Sequence, residues 1–375
     1  MKFINEKTAF SDIGGLRALS SIRDDVWHAD TEAGAYEWWY FDATSDDGRE
    51  TLVIIFLAGF MFSPRYNRAV AEHLQGTREP PQAGEFPAVA VSLYRDGHFV
   101  WRAINEYEPH ELSARTDHPE CRIGSNCFGL SKTGEAIYEL QLDTPLRGGR
   151  RLQASLAWKM IEGNFSSSDE TKAVNETTAH VWNLVAPRCR VVGTINISEA
   201  NGKQSERREW AGTGYHDHNR DTRWMPATIC EWQWGRAHFI DSTAIFYRYL
   251  EHGQTQPVVR LYTVRDKKLI SYEPQFHASR WRRHLFGLRY PRDLRLIAGE
   301  GAAQWSLQIE QQTPVDSSFF YLRFTGNAIL HSTDGTIQRT PVITEQLMPS
   351  ALKRRSLWWL TNMRIGRGGR ASFLP

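Results

Sequence analysis

Glu37-Trp38-Trp39-Tyr40-Phe41-Asp42-Ala43 leads through Ser45-Asp46-Asp47-Gly48 into Leu52-Val53-Ile54-Ile55-Phe56-Leu57. Two runs rich in aromatic and β-branched residues thus flank a short loop of turn residues. That is the signature of a β-hairpin. The pattern recurs at Ala88-Val89-Ala90-Val91-Ser92-Leu93-Tyr94, Arg95-Asp96-Gly97 and His98-Phe99-Val100-Trp101-Arg102. It returns at Ala136–Leu142, Thr243–Tyr249 and Val258–Val264. Many short strands, with turns every 8–12 residues or about that, favour sandwich or barrel sheets over βαβ units. The expected fold class is all-β. No GxGxxG, no Walker loop and no long amphipathic helix is found in the body of the chain.

Composition agrees with a folded β protein. The 375 residues are 41% hydrophobic and 23% charged, ordinary globular values that exclude a disordered or fibrous chain. That length suits two domains or one large double-layered one. Lys+Arg 45 against Asp+Glu 43 gives +2, so charge supplies no general reason to bind nucleic acid. The aromatic share is high at 12%, with 14 Trp, 13 Tyr and 18 Phe. Such residues suit half-buried pleated surfaces and apolar ligand cavities.

Cys121, Cys127, Cys189 and Cys230 include no CxxC pair. Spacing leaves a Cys121–Cys127 disulfide open, but four thiols in so long a chain are not a disulfide scaffold, and a reducing compartment is expected. Met1–Lys7 has no apolar signal region. The longest apolar run, Leu52–Phe62, is 11 residues, against roughly 20 for a spanning helix. A cytoplasmic chain, soluble or resting on a membrane surface, is expected. Thr77–Pro87, Asn164–Thr178 and Ser198–Arg208 read as loops, the last containing the turn dipeptide Asn201-Gly202. A domain boundary is expected near residue 205, giving domains 1–205 and 206–375.

The densest polar and aromatic cluster is Gly212-Thr213-Gly214-Tyr215-His216-Asp217-His218-Asn219. In an extended chain, Tyr215, Asp217 and Asn219 point one way, and His216 and His218 the other. One carboxyl then lies among aromatic rings, where desolvation favours its protonated form and lets it donate a proton. Upstream, His180-Val181-Trp182 places an imidazole and an indole together on one strand face.

Plainer alternatives stand beside these readings. His216-x-His218 is also a metal-ligand spacing, but only His180 offers itself as a third ligand, so no metal is expected. Tyr215–Asn219 also reads as a hydrogen-bonded turn anchoring two sheets. Trp38-Trp39-Tyr40 and Trp232-Gln233-Trp234 read equally as core aromatics.

Several segments together resemble the carotenoid 1,2-hydratase (hydroxyneurosporene synthase) family. They are Trp38–Gly48, Phe60-Met61-Phe62-Ser63-Pro64, His180-Val181-Trp182 with Ala186–Val191, Gly214–Asn219 and Trp232–Ala237, in family order across roughly residues 34 to 365. The resemblance implies two lipocalin-like β-barrel or sandwich domains packed together. It implies a cofactor-free hydro-lyase that adds water to a terminal isoprenoid double bond, with a hydrophobic isoprenoid as substrate. It also carries a catalytic role onto Asp217, Tyr215, His180 and Trp182. Two departures bear on the substrate channel: a longer loop around Ser198–Arg208, and the charged Arg220 directly after Asn219. Cyclases or pericyclases on terpenoid or polyketide chains share the implied fold, and a lipid carrier without chemistry is a third reading. Two basic-aromatic segments, Arg280–Phe286 and Lys353–Leu360, suit peripheral contact with an anionic membrane, or simply a solvated basic face.

Overall fold

The structure is a computed structural model, and it describes residues 12–165, 179–200, 206–299, 305–332 and 335–374. The Met1–Lys7 segment, most of the Asn164–Thr178 loop and the Asn201-Gly202 turn lie outside the described residues.

The chain forms two compact units. The larger contains residues 19–95, 99–225 and 354–375, and the other residues 1–18, 96–98 and 226–353. The expected boundary after residue 205 falls between two strands that pair with each other, His180–Ser198 and Glu206–Asp221. Their ladder keeps residues 206–221 in the larger unit, and the division comes at Met225/Pro226 instead.

The larger unit is one long sheet, antiparallel except where Gly366–Arg367 pairs parallel with Asn105–Glu106. Its central strands run Ala88–Arg95, Glu50–Leu57, Tyr36–Ser45, Glu206–Asp221, His180–Ser198, Arg151–Glu162, Ile137–Pro145, Asn126–Leu130. The Tyr36–Ser45 and Glu50–Leu57 hairpin forms as expected, with Trp38 opposite Leu57 and Thr44 opposite Thr51. The sheet curls until distant strands meet. Phe128, near one end, packs 5.1 Å from Phe56 and 5.3 Å from Phe41, between ring centres. Asn105 Nδ2 donates to Thr144 Oγ1 at 2.7 Å, closing the same gap. Trp39, Phe41, Ile54, Phe56, Leu140 and Trp158 fill the interior. Each such side chain, fully buried, contributes about 1.5–3 kcal/mol.

The second unit repeats the plan: among the described residues its main sheet has nine strands, from Lys268–Tyr272 at one edge to Gln275–Ser279 at the other. Phe246 on the third strand lies 6.5 Å from Phe276 on the last, so this sheet also curls over its core. Two curled, lipocalin-like β-sheets are therefore the fold.

Two smaller findings correct the reading of the sequence. Helix Pro64–Leu74 interrupts the strands, capped by the Ser63 side chain, which accepts from Arg65 N. Ser-Pro at N-cap and N1 is its signal. All four cysteines are free thiols. Cys121 is opposite Phe128 and Cys127 is opposite Arg122. Partners across a ladder share a face and neighbours alternate, so the two thiols point to opposite sides and cannot bond.

Candidate active site

Strand Glu206–Asp221 lies between Tyr36–Ser45 and His180–Ser198. Tyr215 is opposite Asp42, Asp217 opposite Tyr40, and Asn219 opposite both Trp38 and Trp182. These residues therefore share one face. The ladder to His180–Ser198 shifts register between Asn183 and Cys189. Pro187, without an N–H, sits inside that irregular stretch. Gly214 has a separate reason. A Cβ there would lie 2.6 Å from Trp158 Nε1, so only glycine lets that indole close over the strand.

The sequence-expected residues come together around one carboxyl. Trp182 Nε1 donates to Asp217 Oδ2 at 2.8 Å. Tyr215 Oη donates to the same oxygen at 2.7 Å. Asn219 Nδ2 donates to Oδ1 at 2.8 Å. Asp217 is only 4% exposed, and Trp182, Tyr215 and His180 are fully buried. The expectation of a merely oily surround is refined here. Burial favours the neutral acid, whereas donors aimed at both oxygens favour the carboxylate. Tyr215 remains a neutral donor, since burial and then the neighbouring Asp217 carboxyl push its hydroxyl well above its usual range.

His180 stands at the edge of this group. Its Nδ1 is 3.4 Å from Tyr36 Oη, and its ring stacks 5.7 Å from Trp38. Burial pushes its pKa down to about 4, against the opposing pull of Asp221 and Asn219. It is therefore a neutral imidazole at neutral pH. Asn219 thus touches Asp217 and neighbours His180. Sequence reasoning had put Asn219 on this face without giving it a role.

The alternate residues face the barrel core. His216 stacks on Phe41 at 3.9 Å, and its Nε2 lies 2.9 Å from Asp25 Oδ2. His218 stacks on Trp39 at 4.7 Å, and its Nε2 lies 2.8 Å from Glu37 Oε1. His28 Nδ1 approaches that same oxygen at 2.8 Å. Burial alone would raise the Glu37 pKa. Hydrogen bonds from His218 and His28 outweigh it and bring it to about 2. The His216-x-His218 pair therefore has no third ligand in His180, which shares the opposite face with Trp182. Its partners are Asp25, Glu37 and His28, which sequence reasoning missed. Glu37 did carry a signal, being a charged residue at a core-facing position of an aromatic strand.

Among the described residues, no helix is long and apolar enough to cross a membrane.

Comparison with known proteins fits this geometry. The family model for carotenoid hydratase CrtC matches residues 160–332, which include His180, Trp182, Tyr215 and Asp217. A relative from Chlorobaculum tepidum, named hydroxyneurosporene dehydrogenase, is 28% identical over 92% of this chain and 91% of its own. An acyclic carotenoid 1,2-hydratase from Rubrivivax gelatinosus is 30% identical over 57% of this chain, a stretch spanning 48% of that protein. Two solved structures share the fold. A protein from Nitrosomonas europaea, provisionally assigned as AttH, superposes with TM-score 0.58 at 14% identity, over 88% of this chain and 97% of its own. CghA in complex with Sch210972 gives TM-score 0.58 at 13% identity, over 84% and 89%. The chain is thus similar to the carotenoid hydratases, whose family model matches it across the strands that carry the buried Asp217 cluster.

Proposed function

We propose that this protein is a carotenoid 1,2-hydratase, adding water to the terminal C1=C2 bond of an acyclic carotenoid of lycopene or neurosporene type. One observation carries the reading beyond family likeness: Trp182, Tyr215 and Asn219 all donate to a single buried carboxyl. Asp217, protonated, gives its proton to C2, and a tertiary cation forms at C1. The carboxylate left behind is the group those donors stabilise, so the acid is strengthened at the moment of transfer. The rings of Trp182 and Tyr215 add cation–π attraction to the cation, about 2 kcal/mol when desolvated. Water attacks C1, and His180, neutral at working pH, takes the proton the water gives up. That proton returns to Asp217 by way of Asn219, which bonds Asp217 Oδ1 and also hydrogen-bonds His180. The sum is alkene plus water to tertiary alcohol, with no change in oxidation state overall.

A hairpin of the second unit suits delivery from a lipid surface. Arg282–Arg283 pairs with Arg289–Tyr290, and the turn between them exposes Leu285 at 90%, with Trp281 and Phe286 also exposed. Apolar side chains ringed by arginines fit the interface of an anionic bilayer.

The deciding experiment is expression in a lycopene-accumulating host with pigment analysis, then incubation of purified protein in ¹⁸O-labelled water. A hydroxylated, labelled pigment is expected. An unlabelled isomer would mean the cation is captured internally, and the hydratase reading would be lost.

A further inference from the structure

On the core-facing side of the same sheet, His28 Nδ1, Glu37 Oε1 and His218 Nε2 all lie within 4.8 Å of one another. The two nitrogens each stand 2.8 Å from the carboxylate oxygen. Metal–ligand bonds of about 2.0–2.2 Å place neighbouring ligand atoms about 3–3.5 Å apart, so a small spreading of the three would admit an ion. We propose that these residues form a binding site for a first-row divalent cation, best suited to zinc, separate from the Asp217 cluster.

The surroundings favour a metal in three ways. The first is the far side of His218. Its Nδ1 lies 3.2 Å from the Asp24 carbonyl oxygen and 3.3 Å from Asp25 Oδ1, both acceptors. With Nε2 also facing a carboxylate, a neutral ring cannot satisfy both sides. Coordination through Nε2 resolves this, because the neutral ring then donates its Nδ1–H to the carboxylate and carbonyl. Ligating histidines are usually held in that way. The second is the carboxylate of Glu37, which the His28 backbone N–H steadies at 3.2 Å from Oε2 and 3.3 Å from Oε1, with Oε1 turned to both imidazoles. The third is space. A small cavity of about 20 Å³, room for a water-sized occupant, adjoins the two histidines and is lined by His28, His218, Asp24 and Arg220, the last of which faces Asp30 at 3.4 Å. Asp24 Oδ2 is buried there without a hydrogen-bond partner. Two histidines and one carboxylate beside an open position are a donor set zinc accepts.

Bound in this way, the ion would clip the loop residue His28 to the two central strands carrying Glu37 and His218. The predicted effect is on stability rather than on the proton transfer at Asp217.

The test uses untagged full-length protein, stripped with chelator and titrated with Zn²⁺ against a chromogenic chelator. About one equivalent should bind, and the melting temperature should rise with Zn²⁺ concentration. Co²⁺ substitution should give the visible absorption of a tetrahedral or five-coordinate centre. His28→Ala, whose ring is partly exposed, should weaken Zn²⁺ by at least about 10-fold. Asp25→Asn, acting through His218, should weaken it by a lesser factor. His110→Ala, at an exposed position outside the cluster, should change nothing. Failure of the wild type to take up Zn²⁺, or equal affinity in His28→Ala, would overturn the proposal.

Discussion

Tyr215, Asp217 and Asn219 on one face, and His216 and His218 on the other, come from five consecutive residues of one strand. The two sets solve burial differently. On the core face, each imidazole lies within hydrogen-bond distance of a carboxylate. On the site face, the Asp217 carboxyl meets neutral donors, an indole, a phenol and an amide. The comparison teaches that the same alternation which builds the sheet separates a histidine–carboxylate network from a carboxyl held by neutral donors.

Asp217→Asn is the sharpest way to break it. Turnover should fall by at least about 10³-fold, as befits loss of the proposed proton donor, while circular dichroism and melting temperature stay near wild type. A retained rate would remove Asp217 as the acid. On the opposite face, Glu37→Gln should act on stability instead. It removes the carboxylate that His218 and His28 share, and leaving buried hydrogen-bonding groups without that partner costs about 1–3 kcal/mol, measurable by urea melts. If Glu37→Gln lowered turnover without lowering stability, the division between faces would fail.

Acid should dismantle the two faces in sequence. The His180 pKa lies at about 4 in the fold, below its ordinary 6.5. Unfolding therefore takes up a proton between these values, and stability is lost as pH falls from 6.5 to 4, on the order of 3 kcal/mol in all. The Glu37 pKa lies at about 2, below its ordinary 4.5. Its contribution is full above 4.5 and lost as pH falls from 4.5 to 2, by a similar amount in the metal-free protein. Melts across pH 7 to 3 should show the first arm flattened in His180→Gln and the second unchanged.

Tyr215→Phe probes a single donor. A hydrogen bond to a charged group contributes about 1.5–3 kcal/mol, so kcat should drop about 10- to 100-fold, less than for Asp217→Asn. An effect on KM alone would mean the phenol serves only packing. The smallest effect is expected away from both faces. Leu285→Ser should weaken flotation with anionic vesicles at low salt and leave folding untouched. Equal flotation would remove the hairpin from membrane contact.

Much of this was legible in the sequence because strands write their facing directly, every second residue on one side. Trp38-Trp39-Tyr40-Phe41 and Tyr215–Asn219 announced both the hairpins and the common face of Tyr215 and Asp217. What was hidden depends on contacts far apart in the chain. Asp25 reaches His216 across 191 positions, and a lone acid in a loop gives no local signal of such a partner. The boundary near residue 205 was misplaced for a related reason. A polar hairpin connection looks like a linker until its two strands are seen to pair.

The alternation has one further result, for how such a chain can vary. Losing or gaining a single residue between Gly212 and Asn219 would rotate every side chain beyond it by half a turn. A carboxyl would be driven among Phe41 and Trp39, and the imidazoles would be carried away from their acids. Within that octapeptide, viable variants should differ by substitution alone. Changes in length should gather beyond the ends of the paired strands, where nothing depends on odd and even.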